Sequence, residues 1–155
     1  MSVSGLGYLG VSTTDLEAWK DLAVSVFSME VIKKSDEDAF YLRLDDWHHR
    51  LSITSDDIDT VSYVGWEVQN EESLDALARK LNDNGVVTEL GGEAQLSDRK
   101  VTKLYNFIDP ASGFASEIFF GPKLEMRPYS PARGISGYRT AECGLGHVVY
   151  FVEDY

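Results

Sequence analysis

Histidine, the commonest metal-binding side chain, occurs three times in the chain. His147 stands in Gly144-Leu145-Gly146-His147, where it reads as mid-strand with the imidazole pointing to the concave side of a curled sheet. One neutral imidazole holds one coordination position. An iron site of the facial type takes two histidines and one carboxylate; His147 is placed like a ligand but its partners are not in this chain, and the alternative is a solvated histidine on a frayed tail. His48 and His49 are adjacent, and neighbours on a strand face opposite ways, so they are not expected to share an ion. Trp47-His48-His49-Arg50 reads instead as a hairpin turn and its exit, with Arg50, Ser52 and Thr54 on one face and His49, Leu51 and Ile53 on the other. Cys143 is the single cysteine, has no base beside it in sequence, and reads as an ordinary thiol. The acidic pairs Asp56-Asp57 and Glu71-Glu72 read as a turn and a helix start.

The elements that would position such groups come from a repeat. Shifted by 55 positions, Tyr8-Leu9-Gly10-Val11 falls on Tyr63-Val64-Gly65-Trp66 without a gap. Trp19, Leu22, Ala23 and Val26 then fall on Leu74, Leu77, Ala78 and Leu81, so strand and helix face repeat together. Each copy predicts strand, helix, then three strands. In the first, Leu6 to Ser12 is a buried strand, and Thr14 with Glu17 three positions on matches a capping box. Leu16, Trp19, Ala23, Val26 and Phe27 form one helical face. Short strands follow near 31–33, 40–44 and 49–54, with Asp45-Asp46 as a turn. In the second copy Asn70 caps the helix, Gly85 ends it, and strands follow near 87–90, 101–108 and 116–120. Tyr8 and Tyr63 hold equivalent positions, and Glu117 closes the last strand of the second copy. A carboxylate with two tyrosines is not a usual divalent-metal set, because a phenol ionises near pH 10, about three units above neutrality. The three read as a polar cluster filling a former cavity.

A third start appears at a shift of 139, where Gly5-Leu6-Gly7-Tyr8 falls on Gly144-Leu145-Gly146-His147. Between the second copy and this start, residues 122–142 are rich in proline and glycine and read as a linker. The expected organisation is a domain over 1–121 made of two modules, about 5–57 and 60–121, then the linker, then the start of a further domain at 143–155. A net charge of -12 argues against nucleic acid and against an anionic membrane surface. Apolar runs such as Ile118-Phe119-Phe120 fall far short of the roughly 20 residues of a membrane span. The N-terminus lacks the pattern of a signal peptide. A cytoplasmic location is the expectation.

Several stretches carry a resemblance to a known family: Leu6-Gly7-Tyr8-Leu9-Gly10, Phe40-Tyr41-Leu42-Arg43, Trp47-His48-His49-Arg50, Glu117-Ile118-Phe119-Phe120-Gly121-Pro122 and the final Gly144-Leu145-Gly146-His147. Together they resemble the N-terminal domain of the type I extradiol ring-cleavage dioxygenases, in the branch that cleaves dihydroxynaphthalenes and dihydroxybiphenyls. These belong to the vicinal oxygen chelate superfamily, with the glyoxalases and bleomycin-resistance proteins. The resemblance implies an α+β fold of two βαβββ modules. It implies that the full-length enzyme holds Fe(II) in a second domain, takes a catecholic substrate and dioxygen, and forms a homo-oligomer. His147 matches the first iron ligand; Tyr8, Tyr63 and Glu117 stand at vestigial metal positions of the half that has lost its metal. No cofactor is expected on this chain alone, and no catalytic residue lies within it. The family often has glycine near the end of the first helix, where this chain has Ser28, so that helix is expected to end differently. The alternative is a stand-alone binding protein of the bleomycin-resistance type, holding an apolar ligand between paired modules.

Overall fold

The computed structural model describes residues 3–131, 133–140 and 144–149. Among the described residues eight strands form one sheet: β1 (Gly5–Thr13), β2 (Glu30–Lys33), β3 (Ala39–Arg43), β4 (Leu51–Ser55), β5 (Thr60–Glu67), β6 (Glu89–Leu90), β7 (Val101–Ile108) and β8 (Ala115–Pro122). Their spatial order is β2-β3-β4-β1-β5-β8-β7-β6. The first strands of the two modules, β1 and β5, pair antiparallel at the centre. Each also pairs in parallel with the last strand of its own module, β4 or β8. The order therefore reads alike from either edge, as a duplicated module related by a twofold rotation requires.

Residue alternation along the strands sets two faces. On β3 and β4 the pairs Phe40–Ile53 and Leu42–Leu51 point one way and Tyr41–Ser52 the other. The apolar face carries a helix in each module. Val11, Phe40, Leu42 and Ile53 pack with Ala23, Leu16 and Trp19 in the first. Ile118 and Val68 pack with Leu74 and Ala78 of α2 (Glu71–Asp83) in the second. A side chain such as Leu74, fully enclosed, contributes about 1.5–3 kcal/mol by burial. Asn70 caps α2 by accepting from Ser73 N at 2.8 Å, and Gly85 ends it at φ +84°, as expected.

The first helix departs from expectation. Its cap is Asp15, which accepts from Ala18 N at 2.9 Å, rather than Thr14. Thr14 is engaged elsewhere: its amide and hydroxyl, with the hydroxyl of Thr13, all donate to Asp59 ahead of β5. After α1 (Leu16–Asp21) the chain passes through a π-helical turn, Leu22–Val26. The extra residue in that turn breaks the helical phase, so Val26 and Phe27, read as core from their spacing, are 54% and 44% exposed. Ser28 is buried and left-handed at φ 57°. The helix thus ends in the glycine-type geometry although the residue is serine, against the expectation of a different end.

A third helix, α3 (Glu93–Arg99), lies between β6 and β7 and has no counterpart in the first module. The second module is therefore βαβαββ. Beyond β8 the chain returns to the first module. Arg127 pairs with Glu30 at 2.7 Å. Tyr129 donates to Ser28 O, Arg133 to Ser25 O and Val26 O, and Tyr138 to Phe27 O. These donors satisfy carbonyls that a helix end leaves unpaired. Gly144 then bridges Leu6, with Leu145 N donating to Leu6 O at 2.8 Å.

Candidate functional site

Where β1 and β5 cross, Tyr8 faces Gly65 and Gly10 faces Tyr63. Each ring lies over the glycine of the other strand. A Cβ at Gly65 would sit 2.2 Å from the Tyr8 ring, and one at Gly10 would sit 2.0 Å from the Tyr63 ring. The repeated Tyr-x-Gly spacing is thus a packing device, in which the missing side chain makes room for the partner's phenol. It brings Tyr8 and Tyr63 together on the concave face, ring centres 6.0 Å apart and edge to face.

Glu117 joins them from β8, where it pairs with Gly65. It is 2% exposed. Tyr8 Oη donates to Glu117 Oε2 at 2.6 Å, and Gln95 Nε2 to Oε1 at 3.0 Å. Arg99 donates through Nε to both oxygens, at 3.0 and 3.1 Å, and through Nη2 at 2.9 Å. The guanidinium also lies 3.5 Å from the centre of the Tyr63 ring, a cation–π stack. The three residues expected to cluster do so, but around a fourth that spacing did not point to.

Arg99 comes from α3, together with Gln95 and Asp98. Gln95 and Asn106 exchange amide hydrogen bonds at 2.6 and 3.0 Å. Asp98 fastens the helix to the first module: Tyr41 Oη donates to it at 2.9 Å and Lys34 Nζ pairs with it at 2.6 Å. The helix holds one apolar residue in its packed contacts, Leu96, so its sequence has no hydrophobic period. The usable signal was length. The first module turns from β2 to β3 in five residues, 34–38, whereas ten residues, 91–100, separate β6 from β7. Gly92 as cap, Glu93 in the first turn and Arg99 in the last then fit a short helix.

Burial pushes the Tyr8 phenol well above its ordinary pKa, and the charge and hydrogen bond of Glu117 add to it. Burial carries Tyr63 up to about 12. Burial works against the charge of Arg99, yet Tyr63 and Glu117 beside it hold its pKa above the ordinary arginine value. Both phenols are therefore neutral hydrogen-bonding groups near pH 7, and Glu117 is bound to a fixed cation. This donor set does not fit a divalent metal. Among the described residues no group of three or more His, Cys, Asp or Glu side chains converges as a metal site.

The histidines lie in the connection between antiparallel β3 and β4, as the hairpin reading has it, but their rings do not point apart. Residues 47–50 lie outside the strands, and His48 Nδ1 and His49 Nδ1 meet at 3.0 Å. The opposite-face rule fails because it holds only in extended strand backbone. His49 is 3% exposed and stacks on Tyr41, ring centres 4.2 Å apart. Its Nε2 has no partner, and burial first, then His48, lowers its pKa to about 3. Arg50 acts structurally, pairing with Asp45 at 2.6 Å, donating to Gly7 O at 2.9 Å and stacking on Trp47. His147 is exposed and lies outside any strand, three residues beyond the bridge at Gly144. The mid-strand placement read from sequence is not seen, because a single bridge does not extend into a ladder. Cys143 lies outside the described residues.

A cleft of about 390 Å³ opens beside Tyr63 and Glu117, lined by Val86, Val87, Asn106 and Phe107.

The family model described as "Dihydroxybiphenyl dioxygenase BphC D1" matches residues 6–55. A 1,2-dihydroxynaphthalene dioxygenase from Sphingobium xenophagum is 37% identical, over 99% of this chain and 52% of its own length. The chain resembles this extradiol dioxygenase along nearly its whole length. An iron-dependent extradiol dioxygenase from Rhodococcus jostii (strain RHA1) is 40% identical, over 99% of this chain and 51% of its own. A crystal structure of a catechol 2,3-dioxygenase superposes with a TM-score of 0.93 at 36% identity, covering 99% of this chain and 55% of that one. The chain spans about half the length of the curated relatives it matches, and it shares with that crystal structure the vicinal oxygen chelate arrangement of paired modules. No helix among the described residues is long and apolar enough to cross a membrane.

Proposed function

We propose that this chain is the non-catalytic half of an Fe(II)-dependent dioxygenase that opens bicyclic or biaryl catechols next to their two hydroxyls. The observation that carries this reading is the filled centre of the domain. Tyr8, Tyr63 and Glu117 take vestigial metal positions, and side chains of α3 close the space between them. Residues 1–121 form the non-catalytic domain, 122–142 the linker and 143–155 the start of the catalytic domain, where His147 is the first iron ligand. Two named relatives support the substrate class, a 1,2-dihydroxynaphthalene dioxygenase and a biphenyl-2,3-diol dioxygenase, and a third is named iron-dependent. Iron, when bound in the whole protein, supplies a site that both catechol oxygens and dioxygen can occupy. This chain contributes one imidazole to it, so no step of ring cleavage is assigned to its residues. Their work is to hold residue 144 beside β1, through the linker contacts to residues 25–30. A cytoplasmic homo-oligomer is the expected setting.

The test is formation of the yellow ring-cleavage product from 1,2-dihydroxynaphthalene or 2,3-dihydroxybiphenyl. Residues 1–155 with added Fe(II) and oxygen should give none. A protein of the relatives' length should give product and lose it on His147→Ala. Turnover by residues 1–155, or full activity of the longer His147→Ala protein, would overturn the reading. The cleft beside Tyr63 favours the alternative of a binding module. Saturable quenching of tryptophan fluorescence in residues 1–155 by a catechol would support that alternative.

A further inference from the structure

The centre of the paired modules holds a cation that belongs to the chain. We infer that the guanidinium of Arg99 occupies the place of the metal in this half, so that the site is kept filled by a fixed charge and is closed to divalent ions. The inference rests on reading Tyr8, Tyr63 and Glu117 as former metal positions.

Three observations carry it. Arg99 forks onto both oxygens of Glu117 with three donor contacts between 2.9 and 3.1 Å, which is how a carboxylate ligand would face a metal. The same guanidinium lies 3.5 Å from the Tyr63 ring centre, while Tyr8 donates to the far side of the same carboxylate. Glu117 and Tyr63 thus address one positive group directly, and Tyr8 reaches it through Glu117. The group also arrives on an element that only the second module has, α3, which Asp98 fastens to Lys34 and Tyr41 across the module boundary.

Charge and space explain why the replacement excludes a metal. Arg99 pairs with Glu117 and, at 2.6 Å, with Asp98, which Lys34 also holds; two carboxylates against two cations sum to zero, and two neutral phenols add nothing, so the centre is balanced. A divalent ion would have to break the fork from Arg99 and leave both the metal and the guanidinium in a dry site, which is costly. Removing the guanidinium reverses the balance. Glu117 is then a buried anion beside a vacancy of guanidinium shape, and a small cation should enter.

The experiment has two arms. In the first, Arg99→Ala and Arg99→Met are melted with and without methylguanidinium in the millimolar range. Arg99→Ala should gain several degrees in Tm, saturably. Wild type and Arg99→Met, whose site is filled, should not gain. If Arg99→Ala does not fold alone, its yield of folded protein on dialysis from urea should rise with methylguanidinium. Absence of any rescue, or equal effects on all three proteins, would overturn the inference. The second arm follows visible absorption during Co(II) titration of two proteins. Tyr8→His/Tyr63→His keeps Arg99 and should bind Co(II) at least a hundredfold more weakly than Tyr8→His/Tyr63→His/Arg99→Ala. Equal tight binding by both would show that Arg99 blocks nothing. Methylguanidinium rescue with no Co(II) site in the triple variant would instead sink the reading of Tyr8 and Tyr63 as metal positions, leaving Arg99 as the resident cation.

Discussion

The two modules share a frame and differ in what fills it. Gly10 of the first corresponds to Gly65 of the second, a spacing of 55. Ser52 pairs with Gly10 as Glu117 pairs with Gly65, and Tyr41 pairs with Ser52 as Asn106 pairs with Glu117. The spacing at those positions is 65, and the lengthened segment that contains α3, ten residues against five, supplies part of the difference. Where the second module has a buried glutamate held by arginine, the first has Ser52, contacted by Lys34 at 3.1 Å. Backbone geometry survives duplication because every strand needs its neighbour's ladder. Chemistry at the centre is free to diverge once an insertion between two strands can reach it.

Removing the central charge tests this contrast most strongly. Arg99→Ala strands a buried carboxylate and should cost about 3–5 kcal/mol in urea unfolding. At the equivalent place in the first module, Ser52→Ala removes one hydrogen bond and should cost about 0.5–1.5 kcal/mol. Similar costs would mean that the two centres are alike after all.

The helices should differ next. Leu74 on α2 is fully buried, so Leu74→Ala should cost about 2–5 kcal/mol. Its counterpart Trp19 is only partly buried beside the first core. Its position on the helical stripe predicts a full core site, but Trp19→Ala should cost less than Leu74→Ala, about 1–2 kcal/mol. A larger loss at Trp19 would place more weight on the first helix than its burial shows.

The two glycines should respond in parallel. Gly10→Ala and Gly65→Ala each push a Cβ into a tyrosine ring, and each should cost about 1–3 kcal/mol by overpacking. A tolerated change at one and not the other would locate a break in the pseudo-symmetry.

The smallest effect is pH dependence, and it belongs to the first module, since residues 60–121 contain no histidine. In the unfolded chain His49 titrates near its ordinary value of 6.5; in the fold it titrates at about 3. Between those values the unfolded chain binds the extra proton, so stability falls as pH drops from about 6.5 toward 3. The slope should reach about 1.4 kcal/mol per pH unit. Carboxylates with lowered pKa, such as Asp98 and Glu30, act mainly below their ordinary values near 4. Urea unfolding at pH 7, 6 and 5 therefore reads the histidine pair, since burial lowers His48 as well, and His49→Phe should reduce the slope over that interval. An unchanged slope would show that His49 is not the group.

The sequence by itself determined the duplicated frame, the boundaries of most strands, α2 with both its ends, and the convergence of Tyr8, Tyr63 and Glu117. Each follows from local rules: a period of two or 3.6, a cap residue, a Tyr-x-Gly spacing repeated at one shift. Only the tertiary structure decided the rest. The π-helical turn that exposes Val26 and Phe27 has no signature in apolar spacing, because the pattern continues while the backbone slips phase. His48 and His49 meet because their loop folds onto a buried site, which a strand rule cannot foresee. Arg99 lies 18 residues from Glu117 on a helix with little apolar pattern, so its partner is fixed by how α3 packs between modules. A buried charge declares itself only through its surroundings, and those come from three different strands and a helix.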